Sequence, residues 1–256
     1  MTIISHKHKF IFIKTRRTAG TSIQILLEKH CGKYDLTTPI GNVLSKDGME
    51  YNKRVRNNGK YENVIYLICC NLYLFFKTIK SRDYLKTIRN YLSVFKKKNL
   101  KNLYRNYHGL FSKLRTHMSA ENIKYKVGKF IWDNYFKFAF DRNPWDKLLS
   151  KYYYHEVKQD FNKWIKYLKK ENQPINFNLY SIKGKVAVDF LGRFENLQED
   201  LKYVFDKLNL PYKRPPHEHK SRGKDKKEFR RFYSEESKRL VEKRHKKEIE
   251  LFGYEF

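Results

Sequence analysis

KFIFIKTRRTAGTSI, Lys9 to Ile23, is the stretch from which the fold is read. Its first five residues, KFIFI, are apolar and rich in β-branched and aromatic types, the composition of a buried strand. KTRRTAGTS follows, polar and largely small. Ile23, Leu26 and Leu27 then fall at helical spacing, and Gly32 stands where such a helix ends. A strand, a tight loop and a helix start make an anion site. Free backbone N–H groups point outward there, and the helix dipole favours negative charge. Gly20 permits close backbone approach, Thr18, Thr21 and Ser22 carry hydroxyls, and Arg17 carries charge. The Walker A pattern GxxxxGK[ST] is absent, which argues against an ordinary nucleoside triphosphatase. Taken alone, the same residues also fit a plain strand–turn–helix corner.

Downstream the alternation continues. Ser119, with Glu121 in the first turn and Asn122 three residues on, caps a helix within His117 to Trp132. Tyr135 to Phe140, YFKFAF, alternates as a strand. In DRNPWDKLLSKYYYH, Asn143 suits an N-cap and Pro144 a first helical turn. Trp145, Leu148, Leu149, Tyr152 and Tyr153 then form one apolar face. Lys185 to Phe190, KVAVDF, is a third strand candidate, leading through GRFENL into an amphipathic helix that ends near Asn209. A last helix spans about Ser234 to Leu251. Alternating strands and helices predict an α/β fold around a central parallel sheet, one domain over residues 1–256. Tyr34 to Asn63 is turn-rich, and Val64 to Leu114 reads as a helical insertion, a lid or a substrate wall. No internal repeat is present.

Two motifs in this order resemble the PAPS-dependent sulfotransferases, PAPS being 3′-phosphoadenosine 5′-phosphosulfate. KFIFIKTRRTAGTSI is similar to the loop that binds the 5′-phosphosulfate, which in the carbohydrate branch commonly reads Pro-Lys-Thr-Ala-Gly-Thr-Ser after a strand. Thr18, Ala19, Gly20, Thr21 and Ser22 match it, while Arg17 stands in place of the usual Lys and Arg16 in place of Pro. The family Lys contacts the phosphosulfate and assists the leaving group. Arg17 keeps the charge but cannot give up a proton, which leaves Lys14 as a possible substitute. FAFDRNPWDKLLSKYYY, Phe138 to Tyr154, resembles the 3′-phosphate segment, with Ser150 eight residues after Arg142 as in the family. Arg142 at the helix start is placed for a bidentate phosphate contact. Separately, an Arg before Asn-Pro reads as a turn residue and a Ser on a helix as solvated; the conjunction is what carries the resemblance. VDFLGRFENL, Val188 to Leu197, resembles the strand and turn that follow in the same branch. The basic stretch His217 to Arg231 lies where related proteins place a mobile loop over the nucleotide, with Lys220, Ser221 and Arg222 as candidates; a solvated basic tail is the other reading.

The resemblance implies a P-loop-like three-layer fold and in-line sulfo transfer from PAPS to a hydroxyl, with adenosine 3′,5′-bisphosphate as product. The acceptor it implies is a carbohydrate, neutral or anionic. The reaction needs a base for the acceptor proton and cations at the leaving phosphate. In the uronyl 2-O-sulfotransferase-like branch a His before a hydroxyl-rich helix start is that base, and His117 in RTHMSAENI corresponds to it. A helix-terminal His with no catalytic role is the alternative. His108 and Glu195 are the reserves. His6 and His8, or His217, Glu218 and His219, make poor zinc spacing, and the reaction calls for no metal.

Composition sets the outer bounds. Fifty-six Lys and Arg against 27 Asp and Glu give a net charge of +29. That excess predicts an anionic partner, although a drift toward Lys, Asn, Tyr and Ile accounts for much of it. A basic nucleic-acid-binding protein is the competing reading, with 16% aromatic residues in its favour. No helix-turn-helix, zinc-finger, RNP or KH signature supports it, and a small-molecule kinase would need the Walker A Lys. Cys31, Cys69 and Cys70 are odd in number and two are adjacent, so they form no disulfide framework. The N-terminus shows no signal-peptide pattern. The longest apolar run, Val64 to Phe76, falls short of the about 20 residues a transmembrane helix needs. The expectation is a cytoplasmic protein.

Overall fold

A computed structural model of the chain describes residues 2–32, 35–38, 116–169, 172–214 and 228–256. The expected insertion at 64–114, Cys69, Cys70, His108, His217, Glu218, His219, Lys220, Ser221 and Arg222 lie outside the described residues.

β1 (Thr2–Ser5) and β2 (Phe10–Ile13) form an antiparallel hairpin, with Thr2 opposite Ile13 and Ser5 opposite Phe10. β2 feeds α1 (Gly20–Glu28), and β3 (Leu36–Thr37) returns antiparallel to β1. α2 (Ala120–Asn134) leads to β4 (Phe136–Asp141), which lies parallel to β2. α3 (Pro144–Tyr154), α4 (Phe161–Tyr167) and the short α5 (Phe177–Tyr180) follow. β5 (Ser181–Ile182) and β6 (Lys185–Val186) make a small separate hairpin. β7 (Phe190–Arg193) then joins the main sheet parallel to β4. α6 (Leu197–Lys207), α7 (Glu235–Arg244) and α8 (Lys246–Phe252) complete the described elements. The sheet order is β3-β1-β2-β4-β7.

Three expectations about the elements need correction. The sheet is mixed, because β1 runs against its neighbours. TIIS is only four residues long and is followed by HKHK, so it gives little periodic signal, yet pairing with β2 buries it completely. The third strand lies at Phe190–Arg193, not 185–190. Asp189 sets the register: its N–H donates to the Lys137 carbonyl at 2.8 Å and its carboxylate accepts from the Lys137 N–H at 2.7 Å. The last helix is two, broken at His245, whose ring meets the Glu248 carboxylate at 2.6 Å.

Strand alternation sorts the core into two layers around the sheet. Ile11, Ile13 and Ala139 face α2 through Ile123, Val127 and Ile131. Phe10, Phe12, Phe138 and Phe140 face α1 and α6 through Ile23, Leu26, Leu201 and Val204. β2 is buried on both sides, which explains its unbroken apolar run. A third cluster joins α3, α4, α7 and the last residues around Trp145, Phe161, Val241 and Phe252. Tyr153, expected on the apolar face of α3, is 45% exposed.

Candidate active site

The site lies where β2, β4 and β7 end, the edge at which open α/β sheets bind ligands. At the end of β2 the backbone turns sharply. Arg17 and Ala19 both adopt left-handed conformations, φ 62° and 55°. Such strain in residues with a Cβ persists only where the surroundings impose it. Ala19 is the N-cap of α1; no side chain caps the helix, and no acidic residue sits in its first turn. Its leading N–H groups therefore have no intrahelical acceptor and present positive potential.

Lys14 is laid across this helix start. Its Nζ donates to Thr21 Oγ1 at 2.8 Å, and it is 6% exposed. A Cβ at Gly20 would fall 2.6 Å from Lys14 Cγ and 2.7 Å from Cε, so the glycine makes room for the lysine stem. Burial, opposed only in part by Glu28, lowers the Lys14 ammonium to about 7. Thr18 behaves differently from expectation: its side chain is buried and its hydroxyl meets Thr15 Oγ1 at 2.7 Å. Thr15 in turn donates to the Phe140 carbonyl, pinning the loop to β4. The Thr18 side chain is thus turned into the loop and held by Thr15.

At the end of β4, Asn143 caps α3 by accepting from the N–H groups of Trp145 at 3.0 Å and Asp146 at 3.4 Å, with Pro144 in the first turn. Arg142, 4% exposed, donates to Asp146 at 2.7 Å and to the Arg17 carbonyl at 3.3 Å. Its guanidinium stacks 4.1 Å over Phe194 at the end of β7. The Arg17 guanidinium turns to the same place. It donates to the carbonyl and the hydroxyl of Ser150, both at 2.9 Å, and stacks 4.3 Å from the Tyr154 ring. Arg17 is thus brought to Arg142 and Ser150, 125 and 133 residues further along the chain. Burial, then the nearby Arg142 charge, lowers the Arg17 pKa. Arg17 Nε is buried without a hydrogen-bond acceptor. An anion entering here would relieve both the repulsion and the unpaired donor.

His117 joins the first loop. Its Nδ1 lies 3.1 Å from the Lys14 carbonyl. A carbonyl only accepts, so Nδ1 carries the proton and Nε2 is the basic nitrogen. Burial first, with positive charge at Lys14 and Arg16 acting the same way, lowers His117 to about 3. The imidazole is neutral at ordinary pH.

Behind the loops lies a buried polar network that sequence reasoning missed. Asp141 accepts from Lys147 at 2.9 Å, Asn176 at 2.7 Å and Tyr180 at 2.9 Å. Lys147 also meets Glu248 at 2.9 Å. Burial works against the Glu248 charge, but Lys147 and His245 outweigh it and hold the carboxyl at about 2. Uncompensated, buried charges would cost several kcal/mol each, so the groups are kept by their mutual bonds. Asp141 directly before Arg142 was the one available hint. Glu195, a reserve base, is committed elsewhere: it accepts from the Asn143 N–H at 2.7 Å and the Tyr254 hydroxyl at 3.2 Å. His6 meets the Tyr135 hydroxyl at 2.8 Å and His8 the His30 carbonyl at 3.1 Å. Among the described residues, no group of three or more His, Cys, Asp or Glu is placed to hold a metal, and no helix is long and apolar enough to cross a membrane.

A family model described as the sulfotransferase family matches residues 1–255. An uncharacterized protein of Archaeoglobus fulgidus is 41% identical over 101 residues, which cover 37% of this chain and 84% of that protein. No solved structure matches significantly.

Proposed function

The chain belongs to the sulfotransferase family, and on that premise we propose that it transfers a sulfo group from PAPS to a hydroxyl of a carbohydrate. The observation that carries this reading is the convergence of Arg17, Arg142 and Ser150 beside an uncapped helix start. One end of that arrangement suits a 5′-phosphosulfate and the other a 3′-phosphate. The mostly parallel sheet feeding a loop and helix N-terminus supports a P-loop-like fold.

The residues fit such a donor. The N–H groups of Thr18 to Ser22, the Thr21 hydroxyl and Lys14 form a cradle for the 5′ end. Arg17, Arg142 and Ser150 supply planar donors and a hydroxyl for the 3′-phosphate, and Arg17 Nε is a donor still without an acceptor. The donor, when bound, supplies the activated sulfo group. Lys14 keeps positive charge where negative charge grows on the leaving oxygen, and with its lowered pKa it can yield a proton there. Arg17 can do neither from its place beside Ser150, so the geometry favours Lys14 over Arg17 for that task. His117 Nε2 takes the proton of the acceptor hydroxyl. The cationic mouth, with Arg16 and Lys151 beside Arg17, suits an acceptor that is itself anionic.

The test is a comparison of thermal shifts with adenosine 3′,5′-bisphosphate, adenosine 5′-phosphate and ATP. The bisphosphate is expected to stabilise the protein most, since it alone occupies both ends. Equal shifts with the bisphosphate and the monophosphate would refute a read 3′-phosphate.

A further inference from the structure

The last residues of the chain touch the ends of all three parallel strands. Toward β2, Glu248 Oε1 accepts from the Asn176 N–H at 2.6 Å. The Asn176 side chain then holds the backbone of Arg16 on both sides: its Oδ1 accepts from the Arg16 N–H at 2.9 Å and its Nδ2 donates to the Arg16 carbonyl at 3.1 Å. Toward β4, Glu248 shares Lys147 with Asp141, and the Glu255 carbonyl accepts from Asn143 Nδ2 at 3.3 Å. Toward β7, the Phe252 carbonyl accepts from Arg193 at 2.6 Å. The Tyr254 hydroxyl bonds Glu195, which accepts from the N–H of Asn143.

The described members of the sheet's two flanking clusters end at Tyr212, so residues 248–255 pack outside both. The bonds instead converge on the loops around Arg16 and Arg142. Asn176 is fully buried, and its amide replaces a peptide partner that Arg16 lacks in the loop.

We infer that Glu248 to Glu255 form a positioning element of the donor site, with Asn176 carrying its grip to the first loop and Glu195 to the second. The inference deepens the donor-site reading above and rests on it. Asn176 and Glu195 act through the loops and are positioning residues.

The experiment uses the full chain. Amide hydrogen exchange of Lys14 to Ala19 is measured without ligand in wild type, Asn176→Ala and Val204→Ala. Val204 is buried in α6 within the second cluster, which contains no residue of 248–255, so its truncation weakens packing without touching the relay. Asn176→Ala should speed exchange in the loop by about tenfold, and Val204→Ala should not. Titration with adenosine 3′,5′-bisphosphate should show about 10–100-fold weaker binding in Asn176→Ala, the range seen when outer partners of a site are removed. Tyr254→Phe keeps the ring and deletes the bond to Glu195. It should narrow the preference for the bisphosphate over adenosine 5′-phosphate, and it decides the matter if Asn176→Ala does not fold. Unchanged exchange and affinity in Asn176→Ala, or an unchanged preference in Tyr254→Phe, overturns the inference. A wild type that ignores the bisphosphate sinks the donor reading instead, and the exchange measurement still decides whether Asn176 braces the loop.

Discussion

One nitrogen of the Arg17 guanidinium bonds both the main-chain and the side-chain oxygen of Ser150, at 2.9 Å each. This contact joins the loop after β2 to the helix after β4. It also takes Arg17 away from the helix start, where Lys14 lies instead. Lys14 and Arg17, from one loop, are thus placed at opposite ends of the proposed donor site.

Ser150→Ala removes a hydroxyl partner of Arg17 and of the proposed 3′-phosphate. Binding of adenosine 3′,5′-bisphosphate should weaken by about 1.5–3 kcal/mol, the scale of a hydrogen bond to a charged group. Calorimetric titration should show adenosine 5′-phosphate binding unchanged. Equal losses for both ligands would mean that Ser150 shapes the loop and does not read the 3′ end.

Gly20→Ala places a methyl group 2.6 Å from Lys14 Cγ, closer than carbon atoms approach. Overpacking of this kind costs about 1–3 kcal/mol. The lysine must also leave the helix start. Chemical denaturation should report the lost stability, and titration should show weaker binding of both nucleotides, because the 5′ end is common to them.

Stability should depend on pH through Lys14 and His117, whose protonated forms burial disfavours. Lys14 titrates at about 7 in the fold against 10.5 ordinarily. Between those values the unfolded chain holds a proton the fold has released, so stability rises with pH, and below about 7 the full burial cost remains. His117, at about 3 against 6.5, has the same sign: stability falls as pH drops from 6.5 toward 3. Denaturation curves from pH 4 to 10 should show both slopes. Lys14→Met should flatten the alkaline one; an unaltered slope would show that Lys14 does not titrate there.

His117→Ala should lower turnover by about 10²–10⁴-fold, the share of a positioned general base. Affinity for the bisphosphate should hold, since the proton comes from the acceptor. With the imidazole neutral down to about pH 3, the acid limb of the wild-type rate profile should lie well below 6.5. Near-normal turnover in the mutant would remove His117 from the mechanism.

The local elements were readable in the chain itself. KFIFI is a strand, TAGTSI opens a helix, and Ser119 and Asn143 cap helices as their side chains predict. Each of these signals acts over a few residues, through alternation, sterics and capping bonds. Arg142 and Ser150 were singled out differently, through the family resemblance, whose eight-residue spacing lies within one strand–helix corner.

Tertiary structure alone decided what those residues do with their side chains. Arg17 reaches Ser150 across 133 positions, Asn176 grips Arg16 across 160, and Lys147 meets Glu248 across 101. Lys14 lies across the helix start only because Gly20 leaves space beside it, and burial there lowers its pKa. Buried charges choose partners by distance in the assembled molecule, where unpaired ones are too costly to keep, and that distance is not written in sequence order.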